Sequence, residues 1–129
     1  MTKAQAWVGY YSAVMPVISD IAHEFAAALA ERLGEELVQV GLFGSRARGE
    51  ARWRSDYDLM VVLRNASGEA RDAVHRLATT LELEHNVDLS TKIVDRERFE
   101  RLRRTSLPFW RNYARDERVL WPPTSSQNA

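Results

Sequence analysis

Residues Leu59 to Leu63 form an unbroken apolar run of strand length, and two aspartates, Asp56 and Asp58, stand on either side of Tyr57 at its start. Such a run reads as an inner strand, because a strand with one face in water alternates apolar and polar residues. Side chains two apart in an extended chain point to the same face. Asp56 and Asp58 therefore converge, while Tyr57 and Leu59 turn to the opposite face, into the core. Two like charges held that close repel unless a cation lies between them. The chain has no cysteine, so any metal must be held by oxygen or imidazole ligands; with three scattered histidines oxygen is favoured, and hard oxygen ligands select Mg2+ or Mn2+.

Upstream, Val38, Val40, Leu42 and Phe43 read as another inner strand, broken at Gly44 where the backbone must turn sharply. Ser45 follows at the start of an expected short helix through Arg46-Ala47-Arg48. Backbone N–H groups, the positive end of the helix dipole and the Ser45 hydroxyl together suit an anion, and a phosphate fits there. Downstream, Val87 to Val94 reads as a third strand, with Asp88 between Val87 and Leu89. A charge bracketed by apolar neighbours is explained if this strand lies beside the one carrying Asp58, so that Asp88 joins the same metal site. Taken singly, Gly-Ser is an ordinary turn, Asp-x-Asp a capped loop and Asp88 either an edge-strand charge or a ligand. Their joint occurrence, in this order around a strand–turn–strand frame, points to chemistry.

The rest of the chain reads as helical cover. Val14, Ile18, Ile21, Phe25, Leu29 and Leu33 recur at three- and four-residue steps, with Pro16 near the start and Gly34 at the end. Residues 1–11 are compatible with a preceding short helix. Asn65 to Gly68 is a turn cluster, after which Ala70, Val74, Leu77 and Leu81 again follow helical spacing. Asp95 to Arg118 reads as two short helices parted around Ser106-Leu107-Pro108, and Val119-Leu120-Trp121 as a terminal apolar plug. One α/β (α+β) domain over residues 1–121 is expected, followed by a disordered tail over 122–129.

Composition narrows the classes. With no apolar run near the ~20 residues of a membrane span and no secretory signal pattern, a soluble cytoplasmic protein without a membrane partner is expected. The net charge is zero and the isoelectric point about 6.8, well below the ~9 of a general nucleic-acid binder. Direct DNA binding is not expected. Sixteen of the eighteen basic residues are arginine, which suits bidentate contacts to phosphate or carboxylate. Eight of these fall within residues 95–118 against five acids, so the C-terminal part is basic. His23, His75 and His85 are expected to be solvated, and Trp110 and Trp121 to belong to the core.

The run LFGSRARGEARWRSDYDLMVV, from Leu42 to Val62, resembles the signature of the minimal nucleotidyltransferases of the polymerase-β-like superfamily, Gly-Ser followed a loop later by Asp-x-Asp. The Arg-Ala-Arg-Gly-Glu-Ala continuation, the later Val87-Asp88-Leu89 and the aromatic C-terminal end are similar to the small prokaryotic members, so the resemblance covers most of the chain. Trp53-Arg54 departs from the Pro-Asp that many members carry before Ser-Asp. The resemblance implies a nucleotidyltransferase fold, a small mixed sheet flanked by helices. It implies ATP or another nucleoside triphosphate with its phosphates at Gly44 and Ser45, assisted by Arg46 and Arg48. Two magnesium ions would be held by Asp56 and Asp58, with Asp88 as third carboxylate and acceptor base. Small members are commonly the antitoxin of a HEPN toxin, which implies transfer of AMP to a toxin tyrosine. Two rivals are an antitoxin that acts by covering its toxin and a transferase for a small antibiotic-type acceptor. The second lacks an acceptor domain here unless a homo-oligomer builds one.

Overall fold

The computed structural model describes residues 20–50 and 56–123. The expected helix start near Pro16, residues 1–11, Trp53-Arg54 and the tail from Thr124 lie outside the described residues. Helix α1 (Asp20–Leu33) leads through a 3-10 turn (Gly34–Glu36) into β1 (Leu37–Phe43). A single turn, α2 (Gly44–Ala47), and β2 (Tyr57–Leu63) follow. Then come α3 (Gly68–His85), β3 (Leu89–Asp95), α4 (Arg96–Leu102), α5 (Pro108–Asp116) and β4 (Arg118–Trp121).

Local chemistry explains most of these boundaries. Gly34 ends α1 at φ +56°, in the left-handed region that glycine adopts without strain. The Ser67 hydroxyl accepts from the Ala70 N–H at 3.1 Å and caps α3. At the other end Asn86 closes the helix with φ +53°. Pro108 opens α5, where its missing N–H has no helical partner to lose.

Among the described residues the four strands make one mixed sheet in the order β3-β2-β1-β4. β1 runs antiparallel to β2 and β4, and β2 runs parallel to β3. The Val119-Leu120-Trp121 plug is thus a correction: these residues belong to a fourth strand on the free side of β1. Only four residues long, β4 shows no period of its own, and its pairing partner lies some eighty positions away in sequence, which local pattern cannot reveal.

Each face of the sheet has its own cover. On one, α1 and α3 pack Phe25, Leu29, Val74 and Leu81 against Val40, Leu42, Leu59 and Val61. On the other, α4 and α5 pack Phe99, Trp110 and Tyr113 against Met60, Val62 and Val94. Here the T-shaped contacts of Phe99 with Trp110 and Tyr113, at 5.9 and 6.0 Å, replace aliphatic interdigitation. Trp110 is buried as expected and Trp121 half-buried. His23, in contrast, is 1% exposed inside the α1 layer. The three-to-four-residue step from His23 to Ala26 and Ala27 carries it onto the buried face of the helix, overriding the polarity of its side chain. His85 is exposed but has a partner, its Nε2 lying 3.3 Å from Glu24 Oε2 across the α1–α3 seam.

Candidate active site

The ends of three strands meet on the face that α4 and α5 leave partly open. Gly44 follows β1 with φ +76°, and a Cβ there would collide with the Asp58 carboxylate. Both facts require glycine: the first by backbone sterics, the second because Asp58 lies directly against the turn. The register agrees, since Phe43 pairs with Asp58 across β1 and β2.

Asp58 is half-buried within β2, and Asp56 is exposed one residue before it. Asp88 was expected inside the third strand but stands one residue ahead of β3. Its carbonyl accepts from the Tyr57 N–H at 3.0 Å. With Tyr57 paired to Leu89 and Asp58 to Ser90, Asp88 is level with Asp56. Alternation sends Tyr57 and Leu89 into the α1–α3 core, where both are buried. Asp56, Asp58, Asp88 and Ser90 accordingly share the opposite face.

Burial, and then the charge of Asp56, raise the Asp58 carboxyl above the usual aspartate range, with Arg48 acting weakly against them. A carboxylate destabilised by a like neighbour and packed against a glycine with no room for a Cβ fits a divalent cation, whose charge would reverse that repulsion. The three aspartates do not bring their oxygens within 4.8 Å of one another. Among the described residues the trio that does so is Glu24, Glu84 and His85, on the α1–α3 side.

The turn after Gly44 is held from outside. Four residues are too few for a self-supporting helix or a dipole of consequence, which corrects the helix-dipole part of the expected anion site. What remains is the Ser45 hydroxyl, half-buried, and the turn's backbone N–H groups, which the N-cap residue Phe43 does not cap. Arg48 Nη1 donates to Asp116 Oδ2 at 2.6 Å and Arg48 Nε to Glu50 Oε2 at 3.0 Å. Arg118 Nε donates to the Ala47 carbonyl at 2.6 Å. Asp116, 7% exposed, also accepts from Arg115 at 2.8 Å. Hydrogen bonds from Arg115 and then Arg48, working against burial, hold its carboxyl below the usual range. Arg46 lies over the Tyr57 ring at 3.9 Å.

The sequence offered Arg48 as a phosphate contact, and its engagement with Asp116 was not foreseen. Asp116 carried one legible signal: an acid in the last turn of a helix opposes the helix dipole and needs a cation. A second, half-buried carboxylate acceptor was equally unforeseen. The Tyr113 hydroxyl donates to Glu117 Oε2 at 2.6 Å, and a Cβ on Gly41 would lie 2.5 Å from that hydroxyl. Gly41 is what lets α5 settle on β1.

The family model for the nucleotidyltransferase domain matches residues 23–119, and the chain belongs to that family. A Methanocaldococcus jannaschii protein, named as a candidate protein adenylyltransferase, is 30% identical over 83 residues, 61% of this chain and 56% of that protein. The chain thus spans just over half the length of that relative. A candidate nucleotidyltransferase of Sulfolobus solfataricus has the same fold, with TM-score 0.51 and 18% identity over 94% of this chain and 88% of its own. A toxin–antitoxin complex solved with AMP-PNP contains a further chain of this fold, with TM-score 0.52 and 22% identity over 82% of this chain and 77% of its own. The expected nucleotidyltransferase fold is borne out. Among the described residues, no helix is long and apolar enough to cross a membrane.

Proposed function

We propose that this protein is a magnesium-dependent adenylyltransferase that moves AMP from ATP to a hydroxyl, a tyrosine of a partner HEPN toxin, and so acts as an antitoxin. The observation that carries the reading is the contact of Gly44 with Asp58. It sets a phosphate-sized turn against a carboxylate whose own surroundings disfavour its charge. The fold shared with a chain from a toxin–antitoxin complex and the match to a candidate protein adenylyltransferase support the partner and the reaction.

In this reading Gly44 and Ser45 bind the triphosphate, and Asp56 and Asp58, with Asp88 beside them, hold the Mg2+ ions. Bound Mg2+ supplies charge stabilisation to the attacking and leaving oxygens of an in-line displacement. The acceptor oxygen bonds to the α-phosphorus as the bond to the bridging oxygen breaks, and pyrophosphate leaves. The acceptor proton passes to the Asp88 carboxylate. Arg48 acts from outside, keeping the turn in place through Asp116, and Arg46 does so through Tyr57.

The test is intact-mass spectrometry of an excess of toxin incubated with a small amount of this protein, ATP and Mg2+. Whole AMP increments that disappear in Asp56→Asn are expected. Neutralisation that tracks stoichiometry, needs no ATP and survives Asp56→Asn would replace the enzyme with a covering antitoxin.

A further inference from the structure

Three large apolar side chains are exposed among the described residues, and two of them, Leu107 at 53% and Phe109 at 37%, line one groove. The groove is open, has a volume of about 730 Å3, and runs between β3 and the start of α5 over Met60. Its cationic lining residues are Lys92, Arg71 and Arg98, against a single acid, Asp95. That acid is already engaged, because its Oδ1 accepts from the Ala66 N–H at 2.6 Å. Lys92 Nζ sits 5.0 Å from the Phe109 ring centroid, so charge and apolar surface adjoin.

Two features of topology tie this groove to the aspartates. Among the described residues β3 is the outermost strand, paired only with β2, and its other edge offers unpaired backbone groups. Lys92 is four residues along β3 from Asp88, on the same face, which is about 13 Å at ~3.3 Å per residue. The Gly44 turn follows β1, on the other side of β2 from β3. The β3 side of the groove and the Gly44 turn thus lie on either side of β2, which carries Asp58, while Phe109 reaches across to Phe43 with ring centroids 5.8 Å apart.

We propose that the groove docks the acceptor as an extended, acidic protein segment laid along the free edge of β3. An aliphatic or aromatic anchor would sit against Leu107 and Phe109, and the hydroxyl-bearing residue would lie beside Asp88. The backbone edge supplies main-chain pairing, the apolar floor an anchor pocket, and Lys92, Arg71 and Arg98 select negative charge. The inference rests on the adenylyltransferase reading for its acceptor but not for its docking.

Fluorescence anisotropy on the full chain, without ATP or divalent cation, reads docking alone. The probes are a labelled peptide with one tyrosine, one leucine and flanking glutamates, and its counterpart with arginines in place of the glutamates. The acidic peptide is expected to bind at least about tenfold more tightly, with Phe109→Ala weakening it about tenfold and Lys92→Glu erasing the preference. Leu107→Asp, at a more exposed position, serves the same purpose should loss of the Phe109 ring loosen α5. AMP-PNP affinity should stay unchanged in all three. Equal binding of both peptides, or unchanged acidic-peptide binding in the folded variants, overturns the proposal. So does a dimer in sedimentation that Phe109→Ala dissociates, which would assign the groove to a second copy. A chain that docks the acidic peptide yet never transfers AMP refutes the activity and leaves the groove. AMP transfer indifferent to all three variants refutes the groove and leaves the activity.

Discussion

The two faces of the sheet are built from the same strands and covered to different extents. On the α1–α3 face the cover is mostly aliphatic, with Phe25 among it, and it closes over β2, where Leu59, Val61 and Leu63 are each fully buried. On the α4–α5 face the aromatic cover reaches Met60 and Val62 and then stops, and the next positions of that face are Asp58 and Asp56. One strand thus contributes a closed core and an open site by alternation alone. The carboxylates sit where the cover ends, because a charge beneath the closed layer would face desolvation that no partner there could offset.

The largest expected effect is on chemistry at the open face. Asp58→Asn should lower AMP transfer at least about 10²–10³-fold while leaving thermal stability at or above that of the parent chain. Transfer from labelled ATP and a melting curve check both halves, and near-normal turnover would break the assignment of this face. On the closed face, Leu59→Ala should remove about 2–5 kcal/mol of stability by denaturant titration. Leu107→Ala, at the exposed groove, should stay within about 0.5 kcal/mol. Equal losses at the two positions would erase the contrast between the faces.

A smaller effect concerns what holds the turn. Asp116→Ala leaves Arg48 and Arg115 without their shared acceptor, and should cost about 1–3 kcal/mol and weaken AMP-PNP binding about tenfold. Calorimetry that finds the affinity unchanged would mean that α2 holds its shape unaided.

The smallest effect is a pair of opposite pH dependences at two aspartates that Arg48 links. Burial and the charge of Asp56 raise Asp58, so the folded protein keeps that proton to higher pH than the unfolded chain does. Without metal, stability from this site is lost as pH rises from about 4 through the raised value. Asp116 is lowered by Arg115 and Arg48, so its contribution is present above the ordinary aspartate value and lost as pH falls through the lowered one. Melting curves of Asp58→Asn and Asp116→Asn in chelator, between about pH 3 and 7, should each remove one slope. Parallel profiles would sink the assignment of opposite shifts.

Much of this architecture was legible before any coordinate. The period of Phe25 and Leu29, the Asn65–Gly68 turn and the unbroken Leu59–Leu63 run each report an element whose signal lies within a few residues. Alternation also predicted that Asp56 and Asp58 share a face opposite Tyr57. Other features were not legible for a common reason. The strand at Val119-Leu120-Trp121 and the hold of Asp116 on Arg48 across 68 positions depend on partners distant in sequence.

Residue order by itself determined which positions bear charge and which are apolar, where the backbone must turn at Gly44, and which family the chain belongs to. Tertiary structure alone decided that Asp88 is level with Asp56 rather than Asp58 and that the turn is clamped by the C-terminal segment. It also decided that Leu107 and Phe109 stay exposed beside β3, the outermost strand among the described residues. The physical reason is one of range. Propensity, periodicity and backbone sterics act over a few residues, whereas strand register and side-chain pairing are set only when distant segments compete for the same surface.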